Sequence, residues 1–286
     1  MLNIVVNPNA LRGKGKRALE KVEERLKKEA VAYRVLTSER KGGVSEIVRT
    51  LCDGGEKLIV AFGGDGTLNE ALCGIPHPEE CVLGLIPAGT GNDFAAAAKI
   101  PFGEKALDLI LGGEPKPTDY IQFDDGKRSV NIAGLGIDVD ILLRCEKKRG
   151  ANKYFRSLLS SLAHYRGTEI AVTLDGETKE YDAMIAAVCN GTQFGGGIPI
   201  CPVAKIDDGL MELLVVDCPK RRKIPFELIR LMRGKILSRP IVHHVLCKEV
   251  VIKAKKEKFA QYDGEIFSCD SLSARLVSGK LKMYRG

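Results

Sequence analysis

The 286-residue chain has no tryptophan, and aromatic residues make up only 6% of it. Proteins that bind single-stranded nucleic acid stack bases on aromatic side chains interleaved with basic ones. Such interleaving is missing from the basic stretches here, which argues against a nucleic-acid-binding module. No apolar run approaches the ~18 residues that suggest a membrane span. The nine cysteines are scattered and include no C-x-x-C pair, so their spacing suggests neither a disulfide framework nor a zinc site. They read as small buried hydrophobes of a reducing compartment. The four histidines lack ligand spacing, and His243 and His244, adjacent on a predicted strand, point to opposite faces. Residues 1–8 form a short strand and a turn without the basic n-region of a signal peptide. A cytoplasmic protein is expected.

What is present is an uneven distribution of charge. The formal net charge is +7, yet residues 1–120 hold 16 basic against 17 acidic side chains. The whole excess lies in the later part, which suggests an anionic partner surface such as acidic lipid headgroups. Its basic segments are residues 144–153, 220–223, 230–239 and 253–258.

The most informative stretch is Gly63-Gly64-Asp65-Gly66-Thr67-Leu68-Asn69-Glu70, which follows the apolar run at 58–62. A buried strand that breaks into a glycine turn and then a helix brings main-chain N–H groups to an anion. Asp65 repels bare phosphate, so the turn makes sense with a nucleotide that carries Mg²⁺. Pro87-Ala88-Gly89-Thr90-Gly91-Asn92-Asp93 repeats the arrangement after the next apolar run, 81–86. Strands at 2–6, 33–37, 57–62 and 82–86 alternate with helices at 17–30 and 44–52. That order predicts a parallel sheet with both turns at its carboxyl edge. Thr37 closes its strand on the same edge, where its hydroxyl could reach a nucleotide or cap the turn. The loop at 7–16 could hold phosphate through its amides but lacks P-loop spacing.

Beyond residue 118 the pattern becomes a series of short strands, 127–133 and 258–262 among them, interrupted by helices near 138–164 and 222–237, and reads as a mainly antiparallel β-sandwich. The expected division is therefore 1–118 and 119–278, with 279–286 returning to the first domain. The segment at 131–138 reads as a strand-to-helix corner, and 189–197 as either a substrate gate or a long turn. Asp207-Asp208-Gly209 is explained by turn chemistry and could also take a hard cation. Asp263-Gly264-Glu265 is first a hairpin turn. A carboxylate at that tip, near a nucleotide, could also take the proton of an acceptor hydroxyl.

With both glycine turns, Asn7-Pro8 and Asp263-Gly264-Glu265, the chain resembles the bacterial diacylglycerol kinase catalytic family, relatives of sphingosine and ceramide kinases. Its turns also resemble those of NAD kinases and 6-phosphofructokinases. The resemblance implies an ATP- and Mg²⁺-dependent lipid kinase, with the nucleotide in a cleft between an α/β and a β domain. ATP phosphates would lie on Gly63, Gly64, Asp65, Gly66, Thr67, Leu68 and Asn69, with Thr37 and Thr90 as further contacts. Asp65 would manage the Mg²⁺-bound phosphates. Asp263 would accept the proton of the lipid hydroxyl, supported by Glu265. A structural Mg²⁺ would sit on the Asp208 carboxylate and the carbonyls of Lys205 and Leu210. The residues at 7–10 lack the Ser-Gly often found there in the family.

The expected acceptor is diacylglycerol, giving phosphatidic acid. Alternatives are another lipid alcohol (sphingosine-like, undecaprenol or glycerolipid), or a soluble acceptor such as NAD. A catalytically dead nucleotide-binding regulator is disfavoured by the retained Asp65, Asp208 and Asp263. A kinase with a bilayer-resident acceptor would dock peripherally on anionic membrane. A two-fold homodimer through an exposed β-domain edge is compatible with this reading.

Overall fold

The computed structural model describes residues 1–11, 13–40, 42–146, 153–256 and 259–286. Contacts divide the chain into two compact units. Met1–Tyr120, Ile206–Asp208 and Val277–Gly286 form the first, and Ile121–Lys205 with Gly209–Leu276 the second.

The first unit is built on a parallel sheet of β1 (Leu2–Val6), β2 (Tyr33–Thr37), β3 (Leu58–Gly63) and β4 (Val82–Pro87), in the order β4-β3-β1-β2. All five residues of β1 are buried, the signature of a parallel strand covered on both faces. The covering helices are α1 (Lys14–Lys28), α2 (Gly43–Asp53), α3 (Asp65–Gly74), α4 (Asp93–Ala97) and α5 (Leu107–Gly112). In α1 the buried Ala18, Val22 and Leu26 recur every fourth residue among charges, so one stripe faces the sheet. Helix α1 starts ahead of the expected residue 17 because Gly15 lets it meet the preceding turn. A Cβ there would lie 1.5 Å from the Ala10 carbonyl oxygen.

The strands of the second unit are the end of β5 (Lys116–Phe123), β6 (Arg128–Ser129), β7 (Ile132–Gly136), β8 (Thr168–Leu174), β9 (Glu177–Cys189), β10 (Met211–Asp217), β11 (Val242–Cys247), β12 (Glu249–Ala254), β13 (Phe259–Tyr262) and β14 (Glu265–Ser268). The unit is built on antiparallel pairings, among them β7 with β9, β8 with β9 and β12, and β10 with β9 and β11. The long β9 pairs with β8 through its first half and lies between β7 and β10 through its second. One core, with Ile170, Val188, Leu213, Ile252 and Tyr262, fills the space between strands. A second core packs α6 (Ile137–Glu146), α7 (Lys153–His164) and α8 (Ile224–Met232) on β9 and β10. This is the expected fold class, a parallel α/β unit followed by an antiparallel, sandwich-like one.

The last strand, β15 (Leu272–Met283), begins in the second unit and ends in the first. There Lys282 and Met283 pair in parallel with Val82 and Leu83 of β4. Arg285 follows, donating to Asp207 Oδ2 at 2.6 Å, the Pro117 carbonyl at 2.8 Å and Thr118 Oγ1 at 3.1 Å. The Asp119 N–H bonds the Ile206 carbonyl at 2.8 Å, so the short 206–208 segment is held within the first unit.

Three elements differ from expectation. The helix predicted over 138–164 is two helices, α6 and α7, and residues 147–152 lie outside the described set. The strand predicted at 127–133 is interrupted after Ser129, because the next N–H groups bond a carboxylate instead of a neighbouring strand. Strand β14 lacks the clear alternation that would reveal it and follows from the hairpin with β13. Lys258, expected to open β13, is outside the described residues. Among the described residues no helix is long and apolar enough to cross a membrane.

Helices α2 and α3 cross at Gly74, where a Cβ would lie 2.5 Å from the Ser45 carbonyl oxygen and 2.9 Å from Val48 Cβ. Intrinsic propensity favours alanine over glycine in a helix by about 1 kcal/mol, whereas forced overpacking costs about 1–3 kcal/mol. The steric effect wins here. Gly74→Ala is expected to lower the denaturant midpoint in urea, and a raised midpoint would contradict the tight crossing.

Candidate active site

Two glycine turns meet at the carboxyl edge of the first unit's sheet. Gly63 and Pro87, the last residues of β3 and β4, stand opposite each other in register. A Cβ on Gly89 would lie 2.5 Å from the Gly64 Cα, so the turns touch backbone to backbone and no larger residue fits. The second turn is closed by Asn92, which holds a left-handed φ of 56°. Its Oδ1 accepts from the Gly89 N–H at 3.0 Å and its Nδ2 donates to the Gly89 carbonyl at 2.9 Å.

Asp65 bridges the two turns. Its Oδ2 accepts from the Asp93 N–H at 3.1 Å and its Oδ1 from the Phe94 N–H at 3.0 Å. Helix α4 has no side-chain cap of its own, so the carboxylate satisfies amides that the helix leaves open and favours its positive end. Within 63–69 the residues divide by exposure. Gly64, Asp65 and Gly66 are partly exposed, while the side chains of Thr67, Leu68 and Asn69 are buried. Leu68 is wholly in the core and donates its N–H to the Gly64 carbonyl at 3.1 Å. It therefore supports the turn from beneath. Glu70 accepts from the Val44 N–H at 3.3 Å and ties α2 to α3. Thr37 and Thr90 are exposed, and Val6 aligns with both Thr37 and Phe62, which puts Thr37 on the same sheet edge as the first turn.

In the second unit, Asp263 and Gly264 form the two-residue loop between β13 and β14, with φ of 49° and 88°, as a type I′ hairpin requires. The Asp263 carboxylate nevertheless points inward and is 8% exposed as a residue. Its Oδ1 accepts from Ser129 Oγ at 2.5 Å and from the N–H groups of Asn131 and Ile132, both at 3.1 Å. Its Oδ2 accepts from the Val130 N–H at 3.1 Å. These donors stabilise the ionised carboxylate and explain why the chain leaves the ladder after β6.

The same turn anchors the segment at 189–197. Asn190 Nδ2 donates to the Val130 carbonyl at 2.7 Å and Asn131 Nδ2 to the Gln193 carbonyl at 3.0 Å. Gln261 extends the network, accepting from the Gly264 N–H at 2.8 Å and donating to Asp138 Oδ2 at 3.1 Å. Asp138 is buried at the first turn of α6, where its Oδ1 also accepts from the Val139 N–H at 2.9 Å. Sequence reasoning passed over Asn92, Ser129, Asn131, Asp138, Asn190 and Gln261. The glycine-flanked segment at 131–138 was the available signal for Asn131 and Asp138. Glu265 is half-buried opposite Tyr262. The Tyr262 ring stacks on Phe123 at 3.8 Å, and burial raises its phenol pKa.

The structure brings Asp65, both glycine turns and Thr37 to one edge of the first unit, while Asp263 and Glu265 belong to the second. At the candidate Mg²⁺ turn, Lys205 and Asp208 are exposed and Leu210 is partly so, and Asp207 is held by Arg285.

The second unit also contains a partly open cavity of about 90 Å³ lined mainly by apolar side chains. Ile141, Leu158, Met184, Phe194, Leu228 and Leu231 supply much of the wall. Two carboxylates border it, each with a partner. Asp138 is bonded by Gln261, and Glu227 takes Arg239 in a bidentate pair at 2.9 Å, which lowers its pKa below the usual carboxylate range.

Residues 1–123 match the family model of the diacylglycerol kinase catalytic domain. Residues 132–285 match that of the YegS C-terminal NAD kinase beta sandwich-like domain. The chain belongs to the diacylglycerol kinase catalytic-domain family of lipid kinases. A Serratia proteamaculans relative named "Probable lipid kinase YegS-like" is 31% identical over 71% of this chain and 69% of its own length. A Bacillus subtilis protein named "Diacylglycerol kinase" is 30% identical over 73% and 71% of the two chains. The crystal structure of a diacylglycerol kinase from Bacillus anthracis superimposes with a TM-score of 0.81 at 27% identity, covering 100% of this chain and 96% of that one.

In this family member, Asp263→Asn turns an N–H donor toward groups that are themselves donors. Leaving buried partners unsatisfied costs about 1–3 kcal/mol, more for a charged acceptor. Thermal unfolding of Asp263→Asn is expected at lower temperature than the parent, with half-buried Glu265→Gln close to it. Equal melting of Asp263→Asn and the parent would mean that the cage contributes nothing.

Proposed function

We propose that this lipid kinase transfers the γ-phosphate of ATP, with Mg²⁺, to the hydroxyl of diacylglycerol, giving phosphatidic acid. The observation that carries the choice of a lipid acceptor is the cavity of the second unit. Its mainly apolar lining suits alkyl chain, each buried CH₂ contributing about 0.8 kcal/mol, and its two carboxylates, Asp138 and Glu227, are already engaged by Gln261 and Arg239. At about 90 Å³ it admits the end of a chain, and a longer one requires its walls to move. The Bacillus subtilis relative's name supports diacylglycerol over sphingosine-like, undecaprenol or other glycerolipid acceptors.

In this reading the main chain at Gly63, Gly64 and Gly66 and the first turn of α3 face the phosphates, with the hydroxyls of Thr37 and Thr90 on the nucleotide. Touching glycines leave a cradle that any Cβ would fill. Mg²⁺ neutralises the phosphate charge when bound. Asp65 keeps the two turns in register and disfavours phosphate that arrives without the cation. A hard cation takes oxygen donors, and the exposed Asp208 carboxylate with the carbonyls of Lys205 and Leu210 fits that chemistry. Asp263 receives the acceptor proton, supported by Glu265. Phosphoryl transfer is loose and depends more on positioning than on basicity, so a carboxylate fixed by main-chain donors suits the task.

Membrane docking is proposed through α8. Its Ile224, Leu228 and Leu231 line the cavity, while Phe226, Ile229 and Met232 are 67%, 50% and 48% exposed on other positions of the same helix. A helix apolar on both sides needs a cover beyond its own core. Arg222, Lys223, Arg230, Arg233 and Lys235 around it are exposed and favour anionic headgroups by about 1 kcal/mol each near the surface. Of the other basic segments, 144–153 and 253–258, residues 147–152 and 257–258 lie outside the described set.

Two experiments test this. In mixed micelles with ATP and Mg²⁺, the parent is expected to phosphorylate diacylglycerol. Asp65→Ala and Asp263→Asn should each lose on the order of 100-fold or more, and Leu228→Phe should disfavour long acyl chains over short ones. Phosphorylation of NAD and not of lipid would replace the lipid reading with the soluble one. In sedimentation with phosphatidylglycerol vesicles, Phe226→Ser/Ile229→Ser is expected to bind more weakly than the parent, and salt should release both. Binding that ignores salt and both substitutions would remove α8 from the docking surface.

A further inference from the structure

We propose that Cys201, Glu212 and His244, joined by Cys189, form a binding site for a thiophilic divalent cation, zinc being the one their chemistry fits best. One ligand atom from each of Cys201, Glu212 and His244 lies within 4.8 Å of the others. A tetrahedral zinc site with Zn–S near 2.3 Å and Zn–N or Zn–O near 2.0 Å places ligand atoms roughly 3.3–3.8 Å apart. Binding draws the ligand atoms together by roughly 1 Å.

The strand register explains why these residues meet. β10 lies between β9 and β11. Glu212 stands directly opposite Cys189 on β9, and His244 pairs with Leu214 on β11, two residues along from Glu212. Side chains alternate along a strand, so Cys189, Glu212 and His244 share one face. Cys201 reaches that face from the following loop, where its N–H bonds the Thr192 carbonyl at 3.1 Å and its carbonyl accepts from the Ala204 N–H at 3.1 Å.

The donor set has the composition of a transition-metal site. Thiolate and imidazole favour zinc over the hard cations that a phosphoryl-transfer centre uses. Glu212 and His244 are hydrogen-bonded to each other, so the carboxylate and imidazole already converge. Cys189 and Cys201 are fully buried, Glu212 is 6% exposed, and Cys189 hydrogen-bonds Cys201. Binding of a dication displaces the thiol protons. The bound ion would join three strands and the loop that leads from Asn190, independently of any kinase step.

The test uses the full chain, reduced and stripped with chelator, titrated with Zn²⁺ against a chromophoric competitor and with Co²⁺ for its spectrum. One ion per chain is expected, with the intense visible bands of tetrahedral Co²⁺ and a thiolate charge-transfer band that Cys189→Ser weakens. Cys201→Ser and His244→Gln should each reduce affinity by on the order of 10–100-fold. His244 is exposed, so its substitution leaves the core packing in place, and circular dichroism checks this. Cys52→Ser, in the first unit, should change nothing. Absence of stoichiometric binding, or binding that Cys201→Ser and His244→Gln leave intact, overturns the site. In that case Glu212 and His244 are a hydrogen-bonded pair and the cysteines are core.

Discussion

Where β6 gives way to β7, the N–H groups of Val130, Asn131 and Ile132 come to a single carboxylate, that of Asp263. Buried amides without acceptors are costly, so the broken strand, the hairpin tip and the segment beginning at Asn190 stand or fall together. Because the hairpin loop has left-handed backbone at both residues, the Asp263 side chain can turn back beneath its own turn. Gln261 and Asp138 then carry the network to the start of α6 and the wall of the apolar cavity. The geometry of the acidic hairpin and that of the cavity are thereby fixed by one buried polar network.

Asp65 solves the same problem in the first unit. Its two oxygens take amides at the start of α4, while Gly64 and Gly89 bring the two turns into backbone contact. Charge, helix end and glycine packing thus act on the same few ångströms. The edge made this way is held from the core by Leu68 and from the side by Glu70. The residues of 63–69 therefore have distinct physical tasks, which their position in one motif conceals.

Much of the architecture was legible in one dimension. The buried runs that become β3 and β4 are apolar throughout, and β1 is apolar except at Asn3, since a parallel strand covered by helices has no wet face. The change to short alternating strands after residue 118 marked the antiparallel unit for the opposite reason. The two glycine turns were visible because backbone contact excludes every other side chain. Less visible was the break after Ser129, where alternation continues but the hydrogen bonds go to a residue more than a hundred positions away. Nor did the helical reading of 138–164 separate the two helices, α6 and α7, that the fold contains.

By itself, then, the amino-acid sequence determined the order of the elements, the two fold classes in succession and the placing of two glycine turns at the sheet's carboxyl edge. Those features depend on local periodicity, on glycine and on short-range turn chemistry, which adjacent residues encode. Only the tertiary structure decided which carboxylates hold main-chain amides, which carbons wall the cavity, and that Cys201, Glu212 and His244 converge from separate elements. Such meetings depend on strand register across β9, β10 and β11. Register is a relation between distant segments, set by how their faces pack, and spacing along the chain carries no record of it.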